Sequence, residues 1–116
     1  MMNCPQLKLI VLKTDDVESL RRFYAALGFQ FVQEQHGNGP LHYSAVIGDG
    51  ILEIYPLPAG TAADSSTRLG FSVQDIASVL KTLGESAVPK QTDWGLRAVV
   101  KDPDGRAVEL YGDAPG

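Results

Sequence analysis

Cysteine is almost missing from this chain of 116 residues: Cys4 stands alone, so no intrachain disulfide can form, and a reducing compartment is expected. Histidine is nearly as scarce. His36 and His42 are the only two, and they make no H-x-x-x-H or H-E-x-x-H, so linear spacing offers no histidine-based metal site. Long apolar runs are lacking too; stretches such as 98–100 and 51–52 fall far below the about eighteen residues of a membrane span, and residues 1–12 lack a signal-peptide layout. Basic runs are also absent. Ten Lys plus Arg are scattered among fourteen Asp plus Glu, for a net charge of −4, which argues against a nucleic-acid partner. With 44% hydrophobic and 21% charged residues, the chain is expected to form one domain over 1–116, cytoplasmic, without help from a structural metal.

What is present is a pattern that runs through once and then restarts. Residues 7–13 (LKLIVLK) read as a strand. A helix over 16–27 follows, with Asp15 as its cap, Glu18 completing a capping box, Leu20, Phe23, Tyr24 and Leu27 on one face, and Gly28 as its stop. Strands at 29–36, 41–47 and 51–55 come next, separated by Gly37-Asn38-Gly39-Pro40 and Gly48-Asp49-Gly50. The order is β-α-β-β-β. After a Pro-, Ala-, Gly- and Ser-rich linker at 56–66, a strand at 68–73, a helix at 75–83 stopped by Gly84, strands near 87–88 and at 96–100, the turn Asp102-Pro103-Asp104-Gly105 and a strand at 106–111 repeat it. Leu52-Glu53-Ile54-Tyr55 matches Val108-Glu109-Leu110-Tyr111, and Leu27-Gly28 matches Leu83-Gly84. Two such units, of about 7–55 and 67–111, side by side imply an α+β fold: a curved sheet with helices on its outer face.

Alternation divides each strand between two faces. One is uniformly apolar, with Ile10, Leu12, Leu52, Ile54, Phe71, Val108 and Leu110; the other mixes Lys13, Glu53, Tyr55, Arg68, Glu109 and Tyr111 with smaller apolar residues. The mixed face suits a partly wet concave surface. Glu53 and Glu109 occupy matching mid-strand positions, and if they converge in one hollow their like charges require a cation, a basic group or a raised pKa. Arg68, with five donors, is the candidate counter-charge for both. His42 is a candidate base or hydrogen-bonding residue, and Lys13, Tyr55, Trp94 and Tyr111 are candidates to line or cover a pocket for an anionic or aromatic ligand. The two Gly-rich turns neither open helices nor carry a Lys-Ser/Thr pair, so they are not phosphate loops. The DPDG segment lacks the spacing of a calcium loop and reads as a turn.

Phe23-Tyr24-Ala25-Ala26-Leu27-Gly28-Phe29 after a strand and an acidic helix start, with 102–110 (DPDGRAVEL) near the end, resembles the vicinal oxygen chelate superfamily of glyoxalases, bleomycin and fosfomycin resistance proteins and extradiol dioxygenases. The resemblance implies paired βαβββ modules in a cup-like mixed sheet, completed in many members across a homodimer. In metal-dependent members each module supplies a first-strand ligand, usually His, and a last-strand Glu. Matching the motif puts the glutamates at Glu53 and Glu109, whereas the first-strand positions fall near Leu9 and Arg68. Both histidines are therefore replaced. The resulting expectation is a protein of the bleomycin-resistance type that binds a small polar or aromatic molecule without a cofactor, as a homodimer. Two alternatives stand beside it: a metal-dependent lyase, isomerase or dioxygenase using Glu53 and Glu109, and a structural dimer with a degenerate site.

Overall fold

A computed structural model describes residues 4–112, in the order β1 (Leu9–Thr14), α1 (Val17–Leu27), β2 (Val32–Glu34), β3 (His42–Ile47), β4 (Gly50–Pro56), β5 (Leu69–Ser72), α2 (Ile76–Leu83), β6 (Lys90–Thr92), β7 (Gly95–Lys101) and β8 (Ala107–Gly112). Both βαβββ units are present, joined by a linker without regular structure. The first forms a mixed sheet ordered β1-β4-β3-β2 and the second one ordered β5-β8-β7-β6. In each, the first strand pairs parallel to the last while the other pairs are antiparallel. The sheets are open and curved, and among the described residues no ladder joins them. β1 and β5 are therefore both edge strands.

Local chemistry accounts for the boundaries. Asp16, rather than Asp15, caps α1: its carboxylate accepts from the Ser19 amide at 3.1 Å, because it directly precedes the first helical residue. Glu18 is not reaching back to the cap, as a capping box would require; it receives Arg21 at 2.7 Å and the Tyr43 hydroxyl at 2.6 Å. Asp75 caps α2 by accepting from the Ser78 amide, and both helices end on positive-φ glycines, Gly28 and Gly84. The expected strand at 29–36 is paired only over 32–34, since Phe29 and Phe31 turn into an aromatic cluster with Phe71 and Tyr43. The strand expected at 87–88 lies instead at 90–92: Pro89 intervenes, and Val88 is exposed.

The apolar faces read from alternation are the ones that pack. Leu12, Leu52 and Ile54 from the first sheet and Phe71, Val108 and Leu110 from the second meet Leu20, Tyr24, Leu27, Ile76, Val79 and Leu80 of the helices in one core. Burial of each large aliphatic side chain there contributes about 1.5–3 kcal/mol. The modules are also tied by polar contacts. The Tyr24 hydroxyl donates to Asp102 at 2.7 Å, Thr14 Oγ1 to Asp104 at 3.2 Å, and Arg106 Nη2 to the Lys13 carbonyl at 3.3 Å. With both helices and the core on one side, the mixed face of each sheet is left open.

Candidate functional site

On the open face of the second sheet, strand register sets Gly70 beside Glu109, Ser72 beside Tyr111, and Arg97 across from Tyr111. Three of these side chains, Glu109, Arg97 and Tyr111, form one hydrogen-bonded cluster with Arg68, just before β5. Arg97 Nε donates to Glu109 Oε1 at 3.1 Å, the Tyr111 hydroxyl donates to the same oxygen at 2.6 Å, and Arg68 Nε donates to Oε2. These donors favour the ionised carboxylate, Arg97 most, then Tyr111, then Arg68, and they pull Glu109 down from 4.5 to about 2. The cluster borders a cleft of about 480 Å³ lined by Arg68, Gly70, Phe71, Trp94, Glu109 and Tyr111. Trp94 is 80% exposed, with its ring centroid 5.9 Å from that of Tyr111. Gly70 keeps the floor low, because it adds no side chain beside Glu109 and Tyr111.

The open face of the first sheet carries a second cluster. His42 lies directly across from Glu34 on β2, and Glu53 follows two positions before Tyr55 on β4, all on the side that bears Leu9, Val11 and Lys13 of β1. The His42 ring is buried and stacks on Tyr55, with centroids 4.0 Å apart and planes within 10°. His42 Nε2 lies 3.8 Å from Glu53 Oε2 and 3.4 Å from Glu34 Oε1. Burial, then the charges of Glu53 and Glu34, raise the Tyr55 phenol above its ordinary value.

The candidate residues thus fall into two groups rather than one. Arg68, Glu109, Tyr111 and Trp94 meet at the cleft of the second module, while His42, Glu53, Tyr55 and, at the end of β1, Lys13 share the face of the first. Among the described residues no hydrogen bond or ion pair links Glu53 to Glu109, and Arg68 pairs with Glu109 alone. Within one chain Arg68 does not bridge the two carboxylates: Arg68 and Arg97 share Glu109, and the neighbour of Glu53 is His42. Arg97, Glu34 and His36 were not among the candidates. Alternation does place Arg97 opposite the apolar Leu96, Ala98 and Val100, which is the available signal for it; Glu34 and His36 become neighbours of His42 only through the β2–β3 register.

Residues 6–110 match the Glyoxalase/Bleomycin resistance protein/Dioxygenase superfamily, and the chain belongs to it. No curated protein matches its sequence. Among solved structures it is similar to TnmS3, an antibiotic binding protein from Streptomyces sp. CB03234, with a TM-score of 0.72, 23% identity, and coverage of 98% of this chain and 100% of that one. It is similar as well to a glyoxalase/bleomycin resistance protein from the same strain (TM-score 0.68, 24% identity, 91% and 99% covered). The integron cassette protein VCH_CASS1 from V. cholerae gives a TM-score of 0.67 at 22% identity, with 97% and 98% covered. At these identities the structures share the fold.

The metal position of metal-dependent superfamily members does not suit the residues found here. Leu9 offers no donor atom, and both oxygens of Glu109 already accept from Arg68, Arg97 and Tyr111. A cation there would displace or face two guanidiniums.

Proposed function

We propose that this protein binds a small polar or aromatic organic molecule at the cleft of its second module, without a metal at Glu109. The observation that carries the reading is the pairing of a fixed polar cluster with a bare aromatic wall. Arg97 and Tyr111 hold Glu109, Arg68 keeps most of its guanidinium in solvent at 60% side-chain exposure, and Trp94 stands exposed beside them. Such a site accepts a planar ligand by stacking on Trp94 and Tyr111 and orients it through the remaining donors of Arg68. The likeness to an antibiotic binding protein supports the same reading.

The hollow is completed by a second copy of the chain in this proposal. Among the described residues, edge strands β1 and β5 have no partner along their outer sides, and Leu9, Val32 and Val46, on the open face of the first sheet, are 55%, 61% and 70% exposed. The chain is also extended, with a radius of gyration of 15.2 Å against roughly 13 Å for a compact domain of this length. The first-module face of one copy set against the second-module face of another covers these residues and closes the cleft.

Trp94 is the only tryptophan, so its emission reports the cleft directly. Titration with aromatic carboxylates and phenols is expected to change that emission to saturation at one equivalent per chain. Arg68→Ala should weaken binding by about tenfold or more, the size of a lost charge-assisted hydrogen bond. A broad panel that leaves both the emission and the thermal midpoint unmoved overturns the binding reading and favours a structural dimer.

A further inference from the structure

Outside the cleft, one cluster has the composition of a metal site. Glu34, His36 and His42 present one ligand atom each within 4.8 Å of one another. The β2–β3 hairpin that carries them is held in shape: the Gly39 amide donates to the His36 carbonyl at 2.9 Å, Gln35 Nε2 donates to the Gly39 carbonyl at 2.8 Å, and Gly37 takes the left-handed conformation at φ 58°. Cross-strand pairing sets Glu34 against His42, and the turn brings the His36 ring to 5.1 Å from the His42 ring.

The hydrogen bonding of His42 prepares it as a ligand. Its Nδ1 lies 3.2 Å from the Pro40 carbonyl, which can only accept, so Nδ1 carries a proton and Nε2 is the nitrogen left to face a metal. The Tyr55 hydroxyl lies 3.2 Å from Nε2 and its ring stacks on the imidazole, which fixes the ring's orientation. The other polar atoms around Nε2 are the carboxylate oxygens of Glu34 and Glu53. The buried imidazole nitrogen thus faces two carboxylates, and a cation between them is held by all three groups. A backbone carbonyl that fixes the tautomer is also the usual outer partner of a metal-bound histidine.

We propose that Glu34, His36 and His42 form a site for a borderline divalent transition metal such as Zn²⁺, Co²⁺ or Ni²⁺, on the open face of the first sheet. Two imidazoles and one carboxylate suit these ions rather than Mg²⁺ or Ca²⁺. Around a tetrahedral zinc, ligand atoms stand about 3.3 Å apart. The Glu34 to His42 separation of 3.4 Å already meets that spacing, and the Glu34 to His36 separation of 3.9 Å closes with a small movement of His36, whose side chain is 74% exposed. Three protein donors leave a fourth position for Glu53, water or a donor atom of a ligand. None of the three is a residue at which the superfamily resemblance places a ligand, and the site stands independently of the cleft reading.

The test is titration of the metal-free protein with ZnCl₂ by calorimetry and with CoCl₂ by visible absorption. One equivalent per chain is expected, with intense Co²⁺ bands of tetrahedral type, and affinity that falls as the pH is lowered through the histidine range. His36→Ala and Glu34→Gln, both outside the core, should each weaken binding at least about tenfold, the lower bound for a metal's outer partners. Their melting curves without metal should match the parent's, and Cys4→Ser should bind as the parent does. Absence of saturable one-to-one binding overturns the proposal, and so does binding that survives both substitutions or is lost in Cys4→Ser.

Discussion

Tyr24, near the end of α1, donates a 2.7 Å hydrogen bond to the carboxylate of Asp102, in the turn between β7 and β8 of the other module. Both residues are buried. Asp102 also accepts from the backbone amides of Asp104 and Arg106 and pairs with Arg106 at 3.1 Å, while Arg106 reaches the carbonyl that ends the free edge of β1. The turn therefore locks the two modules to each other as well as reversing the chain. Burial first, and then the bond to Asp102, push the Tyr24 phenol upward and keep it a donor.

Replacing Tyr24 with Phe should cost about 1–3 kcal/mol, because it removes a donor from a buried charged acceptor while preserving the ring. Urea unfolding followed by circular dichroism measures it. An unchanged midpoint would mean that Asp102 is satisfied by its other three donors.

Local periodicity made the elements legible: the alternation in 51–55 and 107–111, and the three- and four-residue steps of Leu20, Tyr24 and Leu27, identify strands, helix and buried faces without reference to the rest of the chain. The family likeness rests on the same local segments. Cross-strand register was not legible to the same degree. Glu53 and Glu109 occupy equivalent places in their modules, yet equivalence in a repeat does not bring two residues together; here it gives each its own neighbours, His42 for one and Arg68, Arg97 and Tyr111 for the other. Arg106 is in phase with Val108 and Leu110 and so falls on the apolar face, but the carboxylates that pair with it there, Asp102 and Asp104, follow from the geometry of the turn rather than from alternation.

The short turns of the two modules are held for different reasons. At Gly50 an added Cβ would come within 2.7 Å of the Lys8 carbonyl oxygen and 2.9 Å of that of Leu7, whereas at Gly105 there is room and the constraint is a φ of 89°. Gly50→Ala must push β4 away from β1 and should cost about 1–3 kcal/mol through overpacking. Thermal melting of Gly50→Ala at or above the parent's midpoint would refute the close approach.

Association through the open faces predicts a specific pair of dimer-breaking changes. Leu9→Glu and Val46→Glu place charge on exposed apolar positions that contribute little to the core, so each should leave chain stability within about 0.5 kcal/mol. Both should shift sedimentation from dimer to monomer. Sedimentation of the parent as a monomer at every concentration would remove the second copy from the proposal and leave the cleft reading to stand on ligand titration alone.

The Glu109 cluster predicts how stability depends on pH. The carboxylate's pKa is lowered on folding, from an ordinary 4.5 to about 2, by Arg97, Tyr111 and Arg68. A lowered folded-state value means that the unfolded chain takes up the proton first. The stabilisation is therefore complete above about pH 4.5 and is lost as the pH falls towards about 2. Comparing the parent with Glu109→Gln isolates this group, since the other carboxylates titrate in both proteins. The difference in urea midpoint should be level from pH 7 to about 5 and should shrink steadily below that. The Glu109 carboxyl carbon, followed by NMR, should still report the ionised form at pH 3, where an unpaired glutamate is protonated. A difference that stays constant down to pH 2, or a carboxyl signal that titrates at the ordinary value, would show that the two arginines and Tyr111 do not hold the carboxylate in solution as they do in the folded geometry.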